Sequence, residues 1–137
     1  MPFGNVLERE FTAKVTSVRI SELGGGRRRT EIDSTGEAKG QVPGQVFGTM
    51  VIEGVPGHTA TYTSAGTILA ASGAVVHVSG QGVCIRTGEG HKIRCRGTGC
   101  LATDDSKLAA LNGLLAAAEF EIDPGAMTMT GTIYEWK

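Results

Sequence analysis

Apolar and polar side chains alternate along most of this chain, the pattern of strands that turn one face to a core and the other to water. Eight runs carry it: Phe11–Leu23, Thr30–Val42, Gln45–Val55, Thr59–Leu69, Ala74–Thr87, Lys92–Thr103, Leu115–Asp123 and Met127–Trp136. The segments between them, Gly24–Arg29, Pro43-Gly44, Pro56-Gly57, Ala71–Gly73, Gly88–Gly90 and Pro124-Gly125, all carry the glycine or proline that tight turns require. Connections this short join neighbouring antiparallel strands. The pattern therefore predicts an all-β fold, an eight-stranded antiparallel meander closed into a barrel and forming one domain over residues 1–137.

One segment departs from the alternation. Asp104, Asp105 and Ser106 offer N-cap side chains, Leu108 and Leu111 lie three apart, and Asn112-Gly113 is a stop signal. A short helix is expected between the sixth and seventh strands, with both leucines turned inward at one barrel end.

Small residues spaced two apart mark three strands: Gly36, Ala38 and Gly40; Gly80 and Gly82; Gly97 and Gly99. Residues at i and i+2 share a face, so each set leaves a bare strip that permits sharp coiling and would leave a lumen roomy. A two-residue turn at Glu89-Gly90 sets Gly82 opposite Gly97, Gly80 opposite Gly99 and Cys84 opposite Cys95. A turn at Pro124-Gly125 sets Phe120 against Met129 and Ile122 against Met127, with Glu119 and Glu121 on the other face.

Composition narrows the partners. With 137 residues, 13 basic and 14 acidic side chains and a net charge of -1, the chain has no broad field to draw in nucleic acid or anionic lipid. It also lacks an apolar run of about 18 residues, so no segment is expected to span a membrane. The first eleven residues carry Glu8, Arg9 and Glu10 and do not read as a secretory signal. Cys84, Cys95 and Cys100 are odd in number and contain no CxxC pair. Reduced thiols in a cytoplasmic protein are expected, with Cys84 and Cys95 cross-strand neighbours that are not bonded.

Few residues suggest chemistry. Gly97-Thr98-Gly99-Cys100-Leu101-Ala102 matches GxGxxA, but a dinucleotide site needs a helix opening at those glycines, and strand pattern continues there instead. His58 and His91 sit beside turns. His77 shares a strand face with Ser79 and Gln81 near the polar positions Arg94, Arg96 and Thr98. Facing inward, that set would give a lumen acid-base capacity; facing outward it is a wet surface, the reading preferred because Val76, Val78, Ile93, Cys95 and Leu101 occupy the other face. Gly24–Arg29 joins a flexible stretch to three arginines, read as a solvated mobile loop in preference to a phosphate or carboxylate clamp. Glu119, Glu121 and Asp123 read as an exposed charged face, and the cysteine spacing matches no compact metal site. No metal and no cofactor is expected.

The glycine pairs Gly80–Gly82 and Gly97–Gly99, then Leu108-Ala109-Ala110-Leu111-Asn112-Gly113, Glu119-Phe120-Glu121-Ile122-Asp123 and Thr130-Gly131-Thr132-Ile133-Tyr134, together resemble the second half of allene oxide cyclase-like barrels. Small bacterial barrels and plant dirigent proteins are similar in this pattern. The resemblance implies an eight-stranded barrel with a central pocket and, in enzymatic members, cofactor-free cyclisation guided by pocket shape. No catalytic residue of that family aligns to this chain. The leading expectation is a barrel that holds a small, largely apolar molecule among Met50, Ile52, Cys84, Cys95, Phe120, Met127 and Met129. The alternative is a cyclase or isomerase with His77, Tyr62 or Arg94 as its polar participant, and a third reading is a structural module, with homo-oligomer contacts through the sheet.

Overall fold

The computed structural model of the chain describes residues 3–88 and 90–136, and side chains from residue 11 onward. The strands are β1 Phe3–Gly24, β2 Arg27–Ala38, β3 Gly44–Gly54, β4 Ala60–Ala70, β5 Val75–Arg86, β6 Ile93–Thr103, β7 Leu115–Asp123 and β8 Thr128–Trp136. Each pairs antiparallel with the next, and β1 also pairs with β8, so the eight-stranded sheet is a closed barrel. No helix among the described residues is long and apolar enough to cross a membrane.

β1 begins eight residues before the Phe11 expected from the alternation, and its 22 residues make it the longest strand. Closure accounts for the length. Phe3–Lys14 pairs with β8 while Thr12–Gly24 pairs with β2, so one strand serves two staggered partners, with a register shift between Val15 and Ser17 where the duties change over.

Two turns correct the expected boundaries. β1 and β2 are joined by Gly25-Gly26 alone, both at positive φ (62° and 79°), where residues with side chains are strained. Arg27, Arg28 and Arg29 are therefore strand residues and not a mobile loop. Carboxylates meet all three: Arg28 Nε donates to Glu22 Oε1 at 2.8 Å, Arg29 Nε lies 3.2 Å from Glu31, and Arg27 lies 3.8 Å from Glu53. These side chains form an exposed ladder of ion pairs, which leaves no free clamp.

Between β7 and β8 the turn is four residues, Pro124 to Met127. Asp123 Oδ1 accepts from the backbone N–H of Gly125 and Ala126 at 3.0 and 3.2 Å, and Met127 sits at φ 55°. The expected pairing is thus displaced by two: Phe120 faces Gly131, Ile122 faces Met129, and Met127 is exposed in the turn. A shift of two keeps every side chain on its own face, so the apolar and polar assignments of β7 hold. Glu119 and Glu121 are on the outside beside Arg96 and Lys92, at 3.6 and 3.7 Å.

The β5–β6 hairpin has the expected register, with Gly82 opposite Gly97, Gly80 opposite Gly99 and Cys84 opposite Cys95. Glu89 of the expected turn lies outside the described residues. Contrary to the expectation of free thiols, Cys84 and Cys95 form a disulfide. Their Cα atoms are 4.1 Å apart at directly paired positions on facing strands, and both side chains are buried inside the barrel, which brings the two sulfurs together. Free thiols and a cytoplasmic location are linked expectations, and the bond removes the support that free thiols would lend to that location.

The barrel interior packs as two clusters. One gathers Val15, Ile32, Met50, Tyr62, Phe120, Ile122 and Met129 around the disulfide. The other, of Ala38, Val42, Ile68, Val76, Leu101 and Ala116, is closed by Leu111 and Leu108 of the 3-10 helix Ser106–Leu111. That helix starts where Asp105 accepts the Lys107 N–H at 2.8 Å and ends at Asn112-Gly113, Gly113 having φ 84°. The helical segment and its inward leucines are as the sequence predicts.

Titration of the unfolded chain with a thiol reagent should find one reactive thiol, Cys100, before reduction and three after it; three before reduction would contradict the bond. In denaturant melts, Phe120→Ala should cost about 3–5 kcal/mol and Glu119→Ala less than about 0.5 kcal/mol. The reverse order would mean that β7 is turned inside out.

Candidate functional site: the barrel lumen

Between the two clusters the inward positions become small. Ser34 of β2, Gly48 of β3, Ser64 and Gly66 of β4, Gly80 of β5 and Gly99 of β6 form a belt, with Gly48 opposite Gly66 and Gly80 opposite Gly99. An eight-stranded barrel is just wide enough for ordinary side chains to fill it, so a belt of hydrogens and hydroxymethyl groups leaves space. The space is a cavity of about 160 Å³, walled at one end by Met50, Tyr62, Phe120 and Met129 and at the other by Val46, Ile68 and Leu101.

The second glycine pair does something different. A Cβ on Gly82 would lie 2.7 Å from Tyr62 Cε2, and one on Gly97 would collide with the Tyr62 hydroxyl. The Tyr62 ring therefore lies across this pair and meets Phe120 edge-on, with ring centroids 5.3 Å apart. The Gly82–Gly97 strip is occupied by a side chain from the neighbouring strand and adds nothing to the lumen's free volume, against the expectation that all the strips open it.

Of the candidate ligand-binding residues, Met50, Phe120 and Met129 line the cavity. Ile52 packs against the cluster beside them, and Cys84 and Cys95 lie in that cluster but away from the cavity wall. Met127 is outside the barrel, because its place in the four-residue turn takes it out of the strand alternation.

Of the polar candidates, only Tyr62 is internal. His77 stands on the outer face with Thr67 Oγ1 3.4 Å from its Nδ1, and Arg94 is exposed between Ile85 and Glu121 on neighbouring strands. Both follow the preferred outward reading of that face.

Ser34 and Ser64 were not singled out by their sequence, although the signal is there. Each holds an inward position of its strand, in Ile32-Ser34-Gly36-Ala38 and Tyr62-Ser64-Gly66-Ile68. Their Oγ atoms lie 3.7 and 3.2 Å from where Cβ atoms of Gly48 and Gly80 would stand, which places both hydroxyls inside. Glu37 borders the same volume from an outward position, opposite Thr12 and Gln45. No charged side chain occupies an inward position among the described residues that line the cavity. Burial pushes the Tyr62 phenol above its ordinary pKa, since an ionised ring would lose its hydration there.

A second concavity of about 750 Å³ lies on the outer face, bordered by Asp33, Phe47, Thr67, His77, Ser79 and Cys100. Asp33 is committed within the sheet: Ser17 Oγ and Thr49 Oγ1 donate to its two oxygens at 2.7 and 2.8 Å, and these bonds hold its carboxyl below the usual range. Among the described residues no three His, Cys, Asp or Glu side chains are grouped to hold a metal ion.

The fold and its internal cavity define a small eight-stranded antiparallel β-barrel protein. No family model and no curated protein matches the chain. Solved structures do share the fold. A conserved protein of unknown function from Rhodopseudomonas palustris is 20% identical with a TM-score of 0.78, over 98% of this chain and 99% of that one. A β-barrel-like protein from Acinetobacter baumannii is 15% identical with a TM-score of 0.76, over 98% of both chains. An enzyme from Penicillium herquei is 15% identical with a TM-score of 0.62, over 96% of both.

The phenol gives a test of the site's burial. Tyr62 keeps its proton in the folded protein at pH values where the unfolded chain releases it, so stability should fall as pH rises above about 10. In an absorbance titration, the component lost in Tyr62→Phe should be one that ionises above that pH. A lost component titrating at or below about 10 would place the ring in water.

Proposed function

We propose that the barrel binds one small, largely apolar molecule in its lumen. The observation that carries this reading is the 160 Å³ cavity between two well-packed clusters. An apolar cavity of about 150 Å³ in a protein core takes up benzene, which sets the expected size at a single ring with a short substituent. Met50 and Met129 supply flexible walls that fit irregular shapes. Removing about 150 Å² of apolar ligand surface from water is worth about 4 kcal/mol, equivalent to a Kd of about 1 mM before the cost of association, so a purely apolar ligand is expected to bind no more tightly than the millimolar range. A natural ligand that binds more tightly must gain the difference from polar contacts.

A cofactor-free cyclase or isomerase of the allene oxide cyclase-like kind is the second reading. The enzyme from Penicillium herquei with this fold favours it, as does the Tyr62 phenol in the lumen. It now rests on Tyr62 alone among the three polar candidates, because His77 and Arg94 are on the outer surface.

Toluene is a suitable probe, followed by ligand-observed NMR. Gly48 has only ordinary van der Waals neighbours at 3.7 Å and beyond where a side chain would begin, so Gly48→Leu should fold and fill the cavity. Toluene affinity should fall at least about tenfold in that variant, with the circular dichroism of a β protein retained. Binding equal to wild type in folded Gly48→Leu, or none in the wild type, would overturn the proposal.

A further inference from the structure

Closing a sheet into a barrel ordinarily removes its edges, and this barrel keeps one. The register between β1 and β8 ends at Lys14 opposite Thr128, followed by one last bond, the Val15 N–H donating to the Met127 carbonyl at 2.8 Å. From Ser17 to Gly24, β1 pairs with β2 alone among the described residues. Alternate backbone N–H and C=O groups of that stretch therefore point away from the sheet. A shorter overhang is covered: Leu101–Thr103 of β6 outrun β7, and Asn112 bridges to Leu101 and bonds the Thr103 N–H and C=O at 2.8 and 3.0 Å.

The side chains of the β1 edge add a second reason for a partner. Val18, Ile20 and Leu23 are 45%, 58% and 47% exposed, so three large apolar residues face water on one short segment. Val18 lies opposite the buried Ile32, which puts it and Ile20 on the face that continues the barrel interior beyond the end of β8. An open strand edge with apolar side chains is a template for another strand.

We propose that the occupant is the same edge of a second copy of this chain, paired antiparallel across a two-fold axis, so that the two sheets run on into each other through β1. Room fixes the register. The free stretch is bounded by the β7–β8 turn, bonded at Val15, and by the Gly25-Gly26 turn, so the centre of Ser17–Leu23, Ile20, falls on the axis. Ile20 then faces its own copy, Arg19 faces the partner's Ser21 and Val18 faces the partner's Glu22, with no like charges opposed. Moving the axis one residue to Arg19 would set two guanidinium groups face to face, so charge selects the same register. Val18 and Ile20 of both copies meet in one apolar cluster about the axis. At about 3.4 Å per residue the shared edge is only about 24 Å long. Such a line of contact falls short of the roughly 1,200–2,000 Å² of a standard stable interface, so the dimer forms reversibly.

Sedimentation velocity on the full chain over a wide concentration range should show a monomer–dimer equilibrium. Ile20→Lys sets two ammonium groups at the axis and should raise the dissociation constant of the dimer about tenfold or more. Val83→Lys, at a comparably exposed position (46%) on the outer face of β5, should leave it unchanged. Circular dichroism melts check that both variants fold. Should Ile20→Lys not fold, Ile20→Cys in a Cys100→Ser chain decides the matter, because facing Cα atoms of antiparallel strands lie about 4.5–5.5 Å apart, within reach of a disulfide. Mild oxidation should link two such chains through position 20, and should not link Val83→Cys chains in the same background. An assembly of any other number, or a dimer that neither weakens in folded Ile20→Lys nor cross-links through position 20, would overturn the proposal. A chain still monomeric at about 1 mM would overturn the second copy as occupant and favour an extended peptide of another protein.

Discussion

Everything in this molecule follows from how much side-chain volume a closed eight-stranded sheet can enclose. The interior of such a barrel accepts roughly one ordinary side chain per inward position, and the chain departs from that filling in two opposite ways. At Gly82 and Gly97 two side chains are missing and one large ring from β4 takes their place, so the packing is complete. Around Gly48 no ring takes the place of the missing side chains, and only at Gly99 does the Ser79 backbone carbonyl stand where a Cβ would. The same residue type makes a packed wall in one layer and a cavity in the next. What separates the two outcomes is whether a neighbouring strand places an aromatic ring within reach.

The fold was legible because it depends on local signals. Alternation, turn residues and the capped segment at Asp105 to Gly113 are read within a few positions, and they place seven of the eight strands to within a few residues. β1 escaped because its length is set by β8, a partner at the far end of the chain. The β7–β8 register escaped because Pro124-Gly125 looks like a complete turn, whereas the Asp123 carboxylate organises a wider one.

The site was legible only in part. Met50, Phe120 and Met129 share the inward phase of their strands, and alternation finds such residues directly. Met127 shares that phase only if the turn is two residues long, and the four-residue turn takes it out of the strand. Ser34 and Ser64 went unremarked because a serine among glycines reads as turn or surface chemistry until the barrel closes around it. The Cys84–Cys95 bond shows a related limit: register puts the thiols face to face, whereas the redox surroundings that decide bonding are not written in the spacing of three cysteines.

The double duty of β1 also bears on how the molecule folds. Every other pairing joins strands adjacent in sequence, and such hairpins close in microseconds, whereas Phe11 must find Gly131 across nearly the whole chain. The β1–β8 seam is thus the slow, high-contact-order step. Until it closes, two unprotected strand edges face solvent and can pair with each other or with those of another molecule. The seam that shuts the lumen is also the point at which this chain is most exposed to domain swapping.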